Sequence, residues 1–358
     1  MKTVLIVNEI CSDNIGDHAI NEGIRELARE SGYTPLSHGF DADKKNVIPV
    51  NKNEKITPKV FLRKLKNLFI NKIRFLKYFR WYLENNSRIK DAIKNDFSLL
   101  MIGGGQLIQS GGTFPIAMFL WARHAKVKNK PYIILGVGCA EKFNVLDRLL
   151  FKYAFNNSQG VYVRERRSIE KLDEFFNYPA KYIPDLAFAL YGKNKILDKT
   201  ITIVGATAYY VYLKNAKELE WESYKSQEEY ISDWRNIVEE EIRLKKNKIL
   251  FISTTVEDAA LNSLIYQDVK SKNPTADVEL FESVPELNTY IQYLSASEKI
   301  FSGRMHSLIL GKIQGNHLEP WLISKKIEYF MEEYGGRDVS DINRELKTIF
   351  SAIIKRFD

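Results

Sequence analysis

The chain of 358 residues is 45% hydrophobic and 27% charged, the proportions of an ordinary globular protein, which exclude a disordered, fibrous or disulfide-stapled one. At this length a single core is hard to sustain, so two domains are expected. The formal net charge of +8 points to anionic partners, whether nucleic acid, phospholipid headgroups or phosphorylated metabolites.

No apolar run approaches the about 20 residues that a membrane-crossing helix needs. The apolar stretch after Lys2 leads into Asn8 and Glu9 without the small-residue cleavage site of an export signal, and a cytoplasmic protein is expected. Cys11 and Cys139 are the only cysteines, too few for a thiolate zinc site, and both are expected to pack. No H-x-x-x-H cluster occurs, so no required metal is predicted.

In chain order, residues 3–7 read as a fully buried strand, and 17–31 as a helix with Ile20, Ile24, Leu27 and Ala28 on one face. The alternation returns with a strand at 99–102, the loop Gly103-Gly104-Gly105, a helix at 114–127 and a strand at 132–137. A helix at 145–156, a strand at 160–163 and a helix at 166–176 follow. This rhythm predicts a parallel α/β sheet. A polar connection at 192–199 precedes a second series: strand 201–204, strand 248–253, helix 256–270, strand 277–281, helix 285–295, strand 299–301 and helix 306–313. The prediction is two Rossmann-like domains facing a cleft, residues 1–198 and 199–358. An amphipathic C-terminal helix at 340–357 is expected to pack back across the boundary. Ligands then belong in the loops where strand carboxyl ends meet helix amino ends.

Four loops carry the candidates. Ser12-Asp13-Asn14-Ile15-Gly16-Asp17-His18 precedes a helix, where free N–H groups and the helix dipole attract an anion or a sugar oxygen. Asp17 there can cap the helix or take a proton from a hydroxyl, and capping is the blander role. Gly103-Gly104-Gly105 lets the backbone turn tightly or approach a ligand closely, but no G-x-G-x-x-G fingerprint accompanies it. Arg164, Arg166 and Arg167 stand at a strand end and the first turn of a helix; Arg164 is expected to face the cleft as a planar fork for phosphate or carboxylate, the other two to be solvated. Arg304 and His306 in Ser302-Gly303-Arg304-Met305-His306-Ser307 are the sharpest signal, pairing an anion-binding group with one that transfers protons near neutral pH. His38, His124 and His317 lack such company, and no G-x-S-x-G elbow marks an acyl-enzyme hydrolase.

The Asn-Ile-Gly-Asp loop, Ile-Gly-Gly-Gly after a strand, Val-Arg-Glu-Arg-Arg-Ser, Pro-Asp-Leu-Ala and Gly-Arg-Met-His-Ser, in this order, resemble the polysaccharide pyruvyl transferases. The resemblance runs from Asn14 to Lys325 and implies a glycosyltransferase-B-like architecture. It also implies a chemistry in which phosphoenolpyruvate, as donor substrate and without a cofactor, places a pyruvate ketal on two hydroxyls of a sugar in a surface glycan or its lipid-linked precursor. By position, Arg164 and Arg304 look like the arginines that hold the donor, His306 like the essential histidine, and Asp17 like the first-loop aspartate. Gly16 and the glycines 103–105 line the matching loops, and Pro184-Asp185 resembles the turn that closes the first domain. Residues 314–320 replace the usual short Gly-x-Pro connection, so Lys325 matches the family lysine with Lys326 as competitor. A nucleotide-sugar glycosyltransferase of the same fold is the alternative, since cleft arginines can hold a diphosphate; a non-catalytic glycan-binding protein is a further one.

Residues 59–83 carry Lys59, Arg63, Lys64, Lys66, Lys72, Arg74, Lys77 and Arg80 with no acid. Leu62, Leu65, Phe69, Leu76, Phe79 and Leu83 recur among them at three- to four-residue intervals, with Trp81 and Tyr82 near one end. This basic helical insertion reads either as a helix lying on an anionic membrane face at the inner side of the plasma membrane or as a core-facing helix with a solvated basic side. No helix-turn-helix, zinc finger or aromatic-strand signature supports nucleic acid as the partner.

Overall fold

The computed structural model describes residues 2–42, 74–193, 198–218, 220–244 and 246–357. The chain divides into two compact units. The first comprises Met1–Ser12, Ile24–Leu186 and Ile349–Asp358, and the second Asp13–Gly23 and Ala187–Thr348.

The first unit holds β1 (Thr3–Asn8), β2 (Thr34–Gly39), β3 (Leu99–Gly103), β4 (Tyr132–Val137), β5 (Val161–Val163) and β6 (Lys181–Tyr182). They form one parallel sheet in the order β2-β1-β3-β4-β5-β6. Every residue of β3 and β4 is buried, which is why these strands are continuous apolar runs without alternation: both faces of the sheet are covered. Among the helices are α1 (Ile15–Glu30), α2 (Arg74–Ile93), α3 (Phe114–Val127), α4 (Val145–Asn156) and α5 (Arg166–Phe176), α1 being divided between the units after Gly23. Trp121, Phe151, Phe155 and Phe176 fill the core against the sheet. The strand order reverses beside β1, with Val7 of β1 next to Ile102 of β3, so the loops leaving these two strands flank the switch point.

The second unit holds β7 (Ile201–Gly205), β8 (Lys248–Phe251), β9 (Val278–Leu280), β10 (Ser297–Ser302) and β11 (His317–Pro320), parallel and in the order β11-β10-β7-β8-β9. The chain runs outward from β7 to β9 and returns to β10 on the other side of β7, so the switch point lies at the carboxyl ends of β7 and β10. Helices α6 (Tyr209–Glu218), α7 (Gln227–Leu244), α8 (Val256–Lys272), α9 (Leu287–Ser295), α10 (Met305–Ile313), α11 (Lys325–Tyr334) and α12 (Val339–Ile354) accompany the sheet. The C-terminal segment serves both units. Asn343 donates to the Phe188 carbonyl at 2.8 Å in the second, while Arg356 donates to the Tyr162 hydroxyl at 2.9 Å in the first.

The alternation of strands and helices predicted from the sequence is present, and α3, β4, α4 and α5 have the predicted bounds. Three short strands were not predicted: β2, β6 and β11. Of the basic segment 59–83, residues 59–73 lie outside the described residues and the remainder opens α2.

Candidate active site

In the second unit, β10 delivers Ser302 and Gly303 to the start of α10. A Cβ on Gly303 would lie 2.7 Å from Thr207 Oγ1 and 3.0 Å from Ile323 Cδ1, so only glycine lets the chain pass there. Arg304 follows in an extended conformation as the residue preceding α10, its N–H donating to Ser302 Oγ at 3.1 Å. Its guanidinium forms a two-pronged bond to Asp258 at the start of α8, Nε to Oδ2 at 2.8 Å and Nη2 to Oδ1 at 2.7 Å. Nη2 also reaches Glu257 Oε1 and, at 3.3 Å, Thr255 Oγ1. Asp258 is 2% exposed and also accepts the Ala208 N–H at 2.8 Å, which fixes the fork from the β7 side. Burial acts to lower the pKa of Arg304, but the hydrogen bonds and charge of Asp258, then of Glu257, outweigh it and raise the value. Among the described residues Nη1 has no hydrogen-bond partner, so the fork is held by one edge and offers the other.

The beginning of the chain supplies the second part of this site. Asp13 Oδ2 accepts the Val256 N–H at 2.9 Å, and the Ile15 N–H donates to the Thr254 carbonyl at 3.1 Å, tying the loop after β1 to the connection that follows β8. Asn14 caps α1: its Oδ1 accepts the Gly16 N–H at 3.0 Å. The capping role expected of Asp17 therefore belongs to Asn14, and Asp17 stands in the first helical turn, where its charge complements the helix dipole. Gly16 packs on His306: a Cβ there would lie 2.4 Å from Nδ1, 2.6 Å from Cγ and 2.8 Å from Cβ of the imidazole residue. Two motifs separated by most of the sequence thus meet, with His306 half-buried in the first turn of α10, two residues after the arginine that precedes the helix.

In the first unit Arg164 is not presented to a ligand in the expected manner. It is 2% exposed and ion-paired through Nε to Glu165 Oε1 at 2.8 Å and through Nη1 to Asp185 Oδ2 at 3.0 Å. Burial alone would lower its pKa, but the two carboxylates outweigh that and raise it. An unpaired interior cation costs several kcal/mol, and this triad removes the cost by joining the end of β5 to the Pro184-Asp185 turn. Arg166 and Arg167 are exposed as expected. The three glycines also have a structural reason: a Cβ on Gly103 would lie 2.0 Å from the Leu135 carbonyl oxygen, and Gly104 and Gly105 adopt φ of +77° and +73°. Gly104 N–H donates to Leu135 at 2.8 Å and Gly105 accepts from Gly138 at 2.9 Å, so the tight turn accounts for them.

Lys325 opens α11 with Nζ 2.6 Å from Glu328. A depression of about 970 Å³ in the second unit is bordered by apolar side chains such as Ile15, Leu190 and Ile291 and by Asp13, Glu22 and Asn288, a mixed lining whose polar groups can meet hydroxyls. Among the described residues no three His, Cys, Asp or Glu are grouped to hold a metal ion. No described helix is long and apolar enough to cross a membrane. Asp258, Glu257 and Thr255 were not singled out in the sequence, where an acidic first turn looks like ordinary helix capping.

The family model of the polysaccharide pyruvyl transferases matches residues 14–315. No curated protein matches by sequence. Among solved structures, UDP-GlcNAc 2-epimerase from Neisseria meningitidis, bound to UDP-GlcNAc, aligns with a TM-score of 0.55 at 12% identity over 99% of this chain and 100% of that one. The UDP-GlcNAc 2-epimerase from Methanocaldococcus jannaschii aligns at 0.53 and 9% identity over 99% and 100%. A putative UDP-N-acetylglucosamine 2-epimerase from Listeria monocytogenes aligns at 0.53 and 11% identity over 98% and 91%. At such identities the likeness shows the fold alone: two parallel-sheet α/β domains of the glycosyltransferase-B type.

Proposed function

Because the chain belongs to the polysaccharide pyruvyl transferase family, we propose that it transfers the enolpyruvyl group of phosphoenolpyruvate to two hydroxyls of one sugar, closing a pyruvate ketal and releasing phosphate. The sugar belongs to a surface polysaccharide or its lipid-linked precursor, which would bring the enzyme to the inner membrane surface. The observation that carries this reading is the meeting of Gly16 with His306 beside the Asp258-held Arg304.

The donor bears a phosphate and a carboxylate. Arg304, already neutralised by Asp258 and Glu257, acts as an oriented donor through Nη1 rather than as surplus positive charge, and Lys325 is assigned to the remaining anionic charge. His306 gives a proton to the methylene carbon, which becomes a methyl group while C2 becomes electrophilic. The first sugar hydroxyl adds to C2 and Asp17 takes its proton. Phosphate then leaves, and the second hydroxyl adds to C2 to close the ring, its proton returning to His306. The depression beside Asp13 and Glu22 receives the acceptor; it shares the first two turns of α1 with Gly16. Arg164 is given a structural part, and Gly103–Gly105 shape the loop after β3.

Loss of a proton-transferring group costs about 10²–10⁴-fold in rate. His306→Gln, with unfolding behaviour like the parent protein, is expected to show that loss in phosphate release from phosphoenolpyruvate with acceptor present. Undiminished turnover would remove His306 from the chemistry.

A further inference from the structure

Helix α2 has two apolar faces. Its inward face is fastened: Tyr78 donates to Asp147 at 2.6 Å, Trp81 Nε1 to Asp41 at 2.9 Å, and the Arg88 guanidinium to the Gly39 and Phe40 carbonyls at 2.7 and 3.2 Å. Tyr78, Trp81, Asn85 and Ile89 are buried along it. On the other side Phe75, Phe79 and Leu83, four residues apart, are 69%, 52% and 63% exposed. Such spacing makes one row along a helix, and the fastened inner face prevents the row from turning into the core. Single exposed apolar side chains are unremarkable, but a row of them marks a contact surface.

Charge decides the occupant. Residues 74–83 contain Arg74, Lys77 and Arg80 and no acid; Arg80 pairs with Glu84 just beyond, at 2.8 Å. The preceding sequence, 59–73, adds five Lys or Arg residues and again no acid. A second copy of this chain docking through the same row would set like charges against each other, whereas an anionic bilayer accepts both the apolar row and the cations. We propose that the outward face of α2 docks the protein on a bilayer containing anionic phospholipid. Phe75, Phe79 and Leu83 enter the boundary between headgroups and acyl chains, and Arg74 and Arg80 meet the phosphates. The inference accords with a lipid-linked acceptor but rests on α2 alone.

Sedimentation with phosphatidylcholine vesicles, with and without phosphatidylserine, tests it on the full chain in the absence of donor and acceptor, so its outcome is separate from that of the transfer reaction. The protein is expected to sediment only with the phosphatidylserine vesicles and to be released by salt. Replacing Phe75, Phe79 and Leu83 together by Ser should weaken binding about tenfold or more without altering the circular dichroism melt. Arg74→Gln with Arg80→Gln should weaken it about fivefold per charge removed. Absence of binding by the parent protein, or binding that all these variants leave unchanged, would overturn the proposal. So would sedimentation velocity in which the row holds a dimer that the triple variant dissolves, without vesicle binding.

Discussion

Gly16→Ala adds one methyl group at the contact between the two motifs. The methyl carbon would sit 2.4 Å from His306 Nδ1 and 2.8 Å from its Cβ, while non-bonded heavy atoms rest at about 3.5 Å or more. The imidazole must therefore move by about 1 Å, and because its Cβ is also crowded, rotation of the ring alone does not relieve the clash. Displacement of this size costs about 100-fold in a positioned reaction, equivalent to about 2.7 kcal/mol in kcat/KM. Stability should change much less. Alanine gains about 1 kcal/mol over glycine in a helix, and the backbone at Gly16 is not left-handed, against about 1–3 kcal/mol for overpacking. Phosphate release with phosphoenolpyruvate and acceptor, run beside urea unfolding, separates the two effects. An alanine variant with the parent's kcat/KM would refute the reasoning that Gly16 places His306.

Asp258→Asn keeps the shape of the side chain that grips Arg304 but removes its charge; the KM for phosphoenolpyruvate should rise about tenfold, with steady-state kinetics as the measurement. Asp185→Ala leaves Arg164 short of a carboxylate in an interior where the two side chains are 3% and 1% exposed. It should cost about 3–5 kcal/mol in urea unfolding, whereas a loss under about 1 kcal/mol would place the pair with surface bridges. Burial lowers the pKa of His38, with Arg88 adding to the effect, and burial lowers that of His124, with Arg123 and Lys90 adding to it. The unfolded chain then takes up protons first as pH falls below 6.5, so stability is flat above that value and declines from there toward pH 5; unfolding midpoints across this range should lose the decline when both residues are changed to Gln. Burial pushes the Cys139 thiol up to about 12, so a thiol reagent at neutral pH should modify Cys11 and reach Cys139 only after denaturant is added.

Buried parallel strands and their helices were legible because apolar runs such as Tyr132–Val137 admit few other readings. Three of the four edge strands were not. Thr34–Gly39 and His317–Pro320 each contain a proline and several polar residues, which edges tolerate and which resemble loops. At the candidate site, Arg304, His306 and the loop around Gly16 were readable from residue type and position at strand ends. Their counter-charges were not, since Asp258 lies 46 residues from Arg304 and Asp185 lies 21 from Arg164, and pairing at such range leaves no local pattern. The same reason explains the error over Arg164: a strand-end arginine reads as an anion site until its carboxylates are seen. Asp17 was read as able to cap α1, whereas the residue whose side chain accepts the Gly16 N–H is Asn14.

Product mass after incubation with phosphoenolpyruvate and a lipid-linked or free sugar acceptor shows whether the enzyme forms the ketal. The acceptor should become heavier by pyruvic acid less one water, with one phosphate released for each product formed. An acceptor enlarged by a whole sugar residue from a nucleotide sugar, with no change on exposure to phosphoenolpyruvate, would contradict ketal formation.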